Sequence, residues 1–223
     1  MDSGKYWRRR LRSLISLATL FYVVAAQCAA AQPAGDAAAR GLATLEAFLD
    51  GVQSLTADFK SQLWSADQEL QETETGTLSL KRPNRFRWTY SEPTELVVVA
   101  DGSQVSIYDV ELAQVTVAPF DSVGASPAML LSGDRDVREQ FEVVEAHEAD
   151  GLSWVKLRPL AGGADFSSVL IGFNGTVPQR LELVDGLNGT TRIELDNLDV
   201  NPDLADEVFE LHVPPGVDVL GEG

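Results

Sequence analysis

The sequence is almost without cysteine and histidine. Cys28 is the only cysteine, so the chain can form no internal disulfide and no cysteine zinc site. The two histidines, His147 and His212, form no H-E-x-x-H or other paired metal-binding spacing. No G-x-S-x-G elbow and no glycine-rich strand-to-helix loop occurs either. We therefore expect no catalytic residues, no metal and no cofactor, and a function other than that of an enzyme.

Basic residues are scarce except at the N-terminus, where five of them form a cluster: Lys5, Arg8, Arg9, Arg10 and Arg12. An apolar stretch from about Leu14 to Ala26 follows, and it is short for a membrane span. Ala29–Ala31 then offers an A-x-A cleavage site. This order predicts that residues 1–31 are a cleaved signal peptide and that the protein is exported. The alternatives are an uncleaved anchor and lipidation of Cys28, although the preceding Gln27 is larger than that reaction favours.

Acidic residues dominate the rest of the chain. The whole sequence has 17 basic and 34 acidic residues; without the predicted signal peptide 12 and 33 remain, a net charge of −21. Such a surface repels nucleic acid and anionic membranes, and it favours basic partner surfaces. The remaining 192 residues, 32–223, suffice for one domain with a sizeable core. They contain no second apolar stretch long enough to span a bilayer.

Hydrophobic periodicity predicts one helix followed by many strands. The helix ends near Gly51, and its apolar residues recur at helical spacing: Leu42, Leu45, Phe48 or Leu49, and Val52. From residue 55 the period changes to two, which places one set of residues on a single strand face: Leu55, Ala57, Phe59, Ser61 and Leu63. Further strands are predicted at about 75–81, 84–90, 95–100, 103–109, 112–118, 140–147, 152–158, 166–173, 177–185, 190–197 and 207–213.

Paired turn residues separate these strands. Asp101-Gly102, Asp150-Gly151, Asn174-Gly175 and Asn188-Gly189 are typical of hairpin turns and loops. The pattern predicts a mainly β (α+β) fold of about eleven antiparallel strands in meander order. A sheet of this kind curls into an unclosed β-barrel. The apolar helices then have a natural place as a lid over its open side.

A short apolar helix interrupts the strand series. Ser126 can cap it, Pro127 suits the first helical position, and Gly133 can end it. Its four central residues leave almost no polar face: Ala128, Met129, Leu130 and Leu131. A helix that is apolar all round must be covered by other parts of the protein.

Three large aromatic residues alternate near the first strands. Phe86, Trp88 and Tyr90 fall on one face of a predicted strand, and Arg82-Pro83 stands just before it. Proline favours an extended Arg82 and a break in the sheet ladder. The pattern indicates either an ordinary half-buried strand with basic residues in solvent, or an apolar surface with a polar latch at its rim.

These segments, taken in order, resemble the LolA family of periplasmic lipoprotein carriers of bacteria. The similarity covers nearly all of the chain after the predicted signal peptide. The residues that carry it are Gly76-Thr77-Leu78, Lys81–Trp88, Glu92-Pro93, Val99–Gly102, Tyr108-Asp109, Gln114–Val117, Ser126–Leu131 and Phe209–Val217.

The resemblance implies a monomeric periplasmic chaperone, an unclosed barrel with a helical lid over a hydrophobic cavity. Its cargo would be acylated lipoproteins destined for the outer membrane. An inner-membrane ABC transporter would load it, and an outer-membrane acceptor would receive the cargo. No nucleic acid is expected to bind.

The resemblance also implies roles for particular residues. Arg82 would be the latch whose guanidinium bonds lid carbonyls, and Phe86 would contact the transporter. The expected acyl-chain cavity is lined by Leu45, Phe59, Trp88, Tyr90, Ala128, Met129, Leu130 and Leu131. The chain departs from the family pattern at Arg85 and Arg87, where apolar or neutral residues are commoner, and at Ser106, where an aromatic is common.

Three alternatives remain at this point. An outer-membrane lipoprotein acceptor and an envelope lipid-binding sensor would have the same fold. A scaffold protein would bury the apolar helix in a subunit interface instead of placing it over a cavity.

Overall fold

The computed structural model describes residues 34–120, 127–133, 137–160 and 166–221, and most of them lie in strands. The predicted signal peptide and the predicted cap Ser126 lie outside these ranges. The strands are β1 (Ser54–Trp64), β2 (Leu70–Lys81), β3 (Arg85–Glu92), β4 (Leu96–Asp101), β5 (Gln104–Asp109), β6 (Gln114–Pro119), β7 (Phe141–Ala149), β8 (Leu152–Pro159), β9 (Phe166–Asn174), β10 (Val177–Asp185), β11 (Thr190–Val200) and β12 (Asp218–Leu220). The described helices are α1 (Ala34–Gly51), α2 (Pro127–Ser132), α3 (Val137–Gln140) and one 3-10 turn (Asp206–Phe209).

All twelve strands belong to one sheet, which runs β12-β6-β5-β4-β3-β2-β1-β11-β10-β9-β8-β7. Two meanders, β1 to β6 and β7 to β11, are joined by antiparallel pairing of β1 with β11. The sheet is unclosed, because β12 and β7 form its two edges. The predicted unclosed, mainly β fold is therefore confirmed. The expectation that every strand is antiparallel is wrong at one edge, where β12 pairs with β6 in parallel. The sequence pattern did not predict β12.

The predicted hairpin turns lie where strands reverse. Asp101 ends β4, and its Oδ1 accepts hydrogen bonds from the backbone N–H of Ser103 (2.7 Å) and Gln104 (3.0 Å). Asp150 and Gly151 join β7 to β8 with φ values of 53° and 77°. Two successive residues with positive φ match the turn that best fits the twist of paired strands.

The inner face of the sheet is the face that carries Phe59 and Trp88, and the helices pack on it. α1 contacts β7 and β8, and α2 contacts β2 and β3. Gly41 allows α1 to approach closely, because a Cβ there would lie 2.8 Å from the Cβ of Ala146. The close approach completes an apolar core shared by both helices and the inner face.

Residues 201–217, here called the strap, run along the outer face of the sheet after β11. The 3-10 turn in the strap contacts β3 and β4, and Phe209 is only 1% exposed. The predicted strand at 207–213 is therefore wrong. The alternation of residues in this segment arises because Phe209 points into the sheet, without any ladder of strand hydrogen bonds.

Asn201 ties the start of the strap to the junction between α1 and β1. Its Oδ1 accepts from the backbone N–H of Gln53 (2.7 Å) and Ser54 (3.3 Å), and its Nδ2 donates to the carbonyl of Gly51 (3.0 Å). Asn201 adopts φ 60°, a left-handed conformation that asparagine tolerates well. The end of α1 is thus held by a residue from the far end of the chain.

Candidate functional site

Three aromatic side chains meet on the inner face. The ring centroid of Phe59 lies 5.3 Å from that of Trp88 and 5.0 Å from that of Tyr90, both in edge-to-face arrangement. Phe59 and Trp88 are buried, and Tyr90 is half-buried. Such contacts stabilise beyond simple apolar burial. The three rings therefore form a continuous apolar wall across β1 and β3.

The helices cover this wall. Leu45 of α1, and Leu130 and Leu131 of α2, are at most 1% exposed and belong to the same apolar cluster as Phe59 and Trp88. Tyr90 packs against that cluster. Ala128 and Met129 lie on α2, but their side chains fall outside what the structure describes. The expected cavity residues whose side chains are described are thus gathered around one interior, and their contact with cargo stays a prediction.

An apolar groove of about 330 Å³ opens between α1 and β7. It is lined by Ala38, Ala39, Leu42, Leu45, Phe141 and Val143. Its volume is at the lower end of the range of about 300–1,000 Å³ typical of small-molecule sites. Helical spacing had indicated Leu42 and Leu45. The contribution of β7 had no sequence signal, because nothing local shows which strand lies against α1.

Arg82 lies in the connection between β2 and β3 and is 8% exposed. Its Nε donates a 2.7 Å hydrogen bond to the carbonyl of Val52, directly after α1. Its guanidinium carbon lies 4.6 Å from the ring centroid of Phe48 in α1, a distance typical of a cation–π contact. Arg82 therefore fastens the C-terminal end of α1 to the sheet. Its role as a lid latch stays a prediction.

The same connection also reaches α2. The backbone N–H of Asn84 donates to the carbonyl of Ser132, the last residue of α2, at 3.0 Å. Asn84 has φ 59°, a conformation that most side chains avoid. One short turn between two strands thus holds the C-terminal ends of both helices.

Phe86 points inward and is 2% exposed, as part of the apolar cluster. It pairs across the sheet with Leu80 of β2 and Ala100 of β4. In this arrangement its ring is not on the surface. Its predicted contact with a transporter stays a prediction and requires the ring to become accessible.

Three basic residues on the outer face of β2 and β3 contact the strap: Lys81, Arg85 and Arg87. Lys81 Nζ and Arg85 Nη1 both contact Asp206 Oδ1, at 2.5 and 2.7 Å. Arg87 Nη1 lies 3.4 Å from the carbonyl of Val208. The hydrogen bond from Lys81 and the positive charge of Arg85 lower the pKa of Asp206 below its ordinary value of 3.8. The basic character of positions 85 and 87 is thus explained by the outer face of the sheet.

Two acidic groups lie at the aromatic wall, the carboxyl of Glu74 and the phenol of Tyr90. Burial, together with the charge of Glu72, raises the pKa of Glu74, although a hydrogen bond with Ser61 opposes the shift. Burial, and then the charge of Glu74, raises the pKa of Tyr90 to about 12. Both shifts follow from the loss of water around these groups. The inner face is therefore dry enough at this end to perturb two acids.

Two further features concern the described residues alone. No group of three or more histidine, cysteine, aspartate or glutamate residues among them is arranged to hold a metal ion. None of the described helices has the length and apolar character needed to cross a membrane.

Comparison with known proteins reveals one family. Residues 50–212 match the model of the family described as outer membrane lipoprotein carrier protein LolA. An outer-membrane lipoprotein carrier protein of Bordetella avium is 40% identical over 177 residues, which cover 79% of this chain and 85% of that protein. A protein of the same name from Methylobacillus flagellatus is 36% identical over 204 residues, covering 91% of this chain and 99% of that protein.

Among solved structures, an uncharacterized conserved protein of Thermus thermophilus has a similar fold. The TM-score is 0.52, with 12% identity, and the superposition covers 82% of this chain and 98% of that one. At this identity the similarity concerns the fold alone.

Proposed function

The chain belongs to the family of outer membrane lipoprotein carrier proteins, and from this premise we propose that it is a periplasmic chaperone for acylated lipoproteins. In this proposal it accepts lipoproteins that an ABC transporter releases from the inner membrane. It shelters their acyl chains under α1 and α2 and delivers them to an acceptor in the outer membrane.

The observation that carries the proposal is the groove between α1 and β7. It is lined by apolar side chains, among them Leu45, which is also part of the buried cluster under both helices. An acyl chain that lies in this groove contacts mostly apolar surface. Arg82 and Asn84 form hydrogen bonds at the C-terminal ends of the two helices, and we expect the rest of each helix to move when cargo enters.

The energetics of acyl chains support direct transfer between proteins. Each methylene buried from water contributes about 0.8 kcal/mol, so several long chains together contribute tens of kcal/mol. Realised affinities saturate well below that sum. Cargo held this way escapes into water too slowly to be useful. It must pass from one apolar site to another, with a small decrease in free energy at each step.

Dye displacement tests this function. A bis-anilinonaphthalene dye should bind the protein and fluoresce, and a triacylated lipopeptide should displace it, while the same peptide without acyl chains should not. Leu42→Asp introduces a charge into the groove and should weaken both ligands. Leu187→Asp is the matched control, because Leu187 is 85% exposed. Failure of the acylated peptide to compete would contradict the proposal.

A further inference from the structure

The indole N–H of Trp88 has no hydrogen-bond acceptor within reach among the described residues. Trp88 is 4% exposed, and its Nε1 is itself sealed from solvent. Nearly all buried donors in folded proteins are paired, because an unpaired donor loses its bonds to water and gains nothing in return. The donor at Trp88 is therefore a feature that folding alone does not explain.

The surroundings of Trp88 are apolar. Its partners across the sheet are Leu78 of β2 and Val98 of β4, and the ring of Phe59 lies at its edge. Phe59 and Phe86 fill similar positions on the same face without carrying any polar atom. A phenylalanine at position 88 would supply an aromatic surface with no donor to satisfy. A buried indole N–H costs folding free energy here unless another group accepts a hydrogen bond from it.

The other described tryptophans provide a contrast. Trp154 is also buried, but its Nε1 donates to the carbonyl of Ala149 at 3.2 Å. Trp64 Nε1 is unpaired, yet Trp64 lies on the outer face, where Arg192 packs over its ring at 5.2 Å. Of the described tryptophans, only Trp88 combines an unpaired N–H with a place in the apolar interior.

The chemistry of this donor defines what it would bind. An indole N–H donates and cannot accept, so its partner must carry an acceptor oxygen or nitrogen. A molecule that brings long acyl chains into an apolar interior also brings one carbonyl oxygen at the head of each chain, in an ester or amide linkage. We propose that Trp88 Nε1 donates a hydrogen bond to the acyl carbonyl of bound cargo. The interior then recognises the acyl linkage as well as the hydrocarbon, an inference that rests on the proposed function.

The test compares two ligands that differ only in that carbonyl. The full chain is titrated with 1-palmitoyl and with 1-O-hexadecyl lysophosphatidylcholine, an ester and its ether analogue, each below its micelle concentration. The unsubstituted protein should bind the ester about five- to tenfold more tightly, the range expected for one buried hydrogen bond. Trp88→Phe keeps an aromatic ring but loses the donor, and it should bind both ligands with equal affinity.

A spectroscopic measurement separates hydrogen bonding from a change of shape. With ¹⁵N-labelled tryptophan, the indole proton of Trp88 should move downfield on addition of the ester and not of the ether. The resonance is assigned by its loss in Trp88→Phe. The Trp154 and Trp64 resonances are internal controls, since one donor is already paired and the other lies on the outer face. Neither should distinguish the two ligands.

The outcomes are distinct. Equal binding of ester and ether by the unsubstituted protein, or an ester preference that survives in Trp88→Phe, overturns the inference and leaves the proposed function intact. If neither the ester nor the ether binds, both the inference and the proposed function are overturned.

Discussion

The ring of Phe59 lies directly over Gly76 of the neighbouring strand, so closely that a Cβ on Gly76 would be 2.8 Å from ring carbon Cε1. The two residues are paired across β1 and β2, and the same Cβ would also collide with the backbone carbonyl of Thr89. An aromatic ring over a strand glycine covers backbone that would otherwise be poorly packed. Because Gly76 has no side chain, the ring of Phe59 can occupy this position, where it contacts both Trp88 and Tyr90.

We expect Gly76→Ala to destabilise the protein by about 2 kcal/mol or more, because the new methyl group overpacks a site enclosed by backbone and ring. Chemical denaturation monitored by circular dichroism measures this change. Gly186→Ala is the control, since a Cβ at Gly186 meets no atom within 4 Å. Equal stability of the two variants would mean that Phe59 moves aside freely.

Substitution of Arg82 should separate loading from release. Arg82→Leu removes the bond to the Val52 carbonyl and the contact with Phe48, both of which stabilise the closed, empty protein. We expect these contacts to be lost when cargo binds, so that the substitution destabilises the empty state alone and makes cargo binding relatively more favourable and delivery less so. The variant should load acylated lipoprotein and fail to transfer it to acceptor-containing liposomes.

The control for that experiment is Arg180→Leu, which removes an exposed arginine 3.8 Å from Glu194 and should leave transfer unchanged. Normal transfer by Arg82→Leu would remove the latch role from Arg82.

Attachment of the strap should weaken in acid. The pKa of Asp206 is lowered in the folded protein, so its contribution to stability is present above its ordinary pKa of 3.8 and is lost as pH falls through the lower folded value. Hydrogen exchange of the strap amides should therefore accelerate, relative to exchange of the β1 amides, as the pH falls below the ordinary pKa of 3.8. Asp206→Asn should show fast strap exchange at neutral pH and no acid step. An acid step that persists in this variant would assign it to another carboxylate.

Tyr90 should ionise only in strongly alkaline solution. Its pKa is raised to about 12, so the folded state favours the neutral phenol; this contribution to stability is intact below pH 10 and declines between 10 and 12. Ultraviolet titration of tyrosinate should show a late phase that Tyr90→Phe removes. Glu74→Gln should shift that phase to lower pH without restoring the ordinary tyrosine pKa of 10, because burial remains the larger cause of the shift. An unshifted phase would exclude coupling to Glu74.

Local sequence patterns predicted much of the fold. Alternation correctly placed Phe86 and Trp88 on the buried face of β3, and the apolar run after Pro127 correctly marked α2 as a covered helix. Side-chain period depends only on neighbouring residues, so it can be read without knowing the pairing of strands. The pairing of β1 with β11 joins residues more than a hundred positions apart, and no local pattern specifies it.

The outer face was the part that sequence reasoning missed. Val208, Glu210 and His212 alternate like a strand, but Phe209 between them is buried against the sheet in a strap without a ladder. Arg85 and Arg87 stood out only as departures from the family pattern, and in the structure both contact that strap. The wrong strand and the missed contacts have one cause: the alternation of residues shows that a segment has two faces and does not show what lies against each.

Photo-cross-linking tests the central claim, that acyl chains occupy the interior beneath α1 and α2, most directly. A benzophenone amino acid replaces Leu42 in the groove or, as control, Leu187 on the surface. After loading with an acylated lipopeptide, irradiation should join the chains to position 42 and not to position 187, and a peptide without acyl chains should join to neither. Equal cross-linking at both positions, or none at position 42 while cargo is bound, would contradict the account.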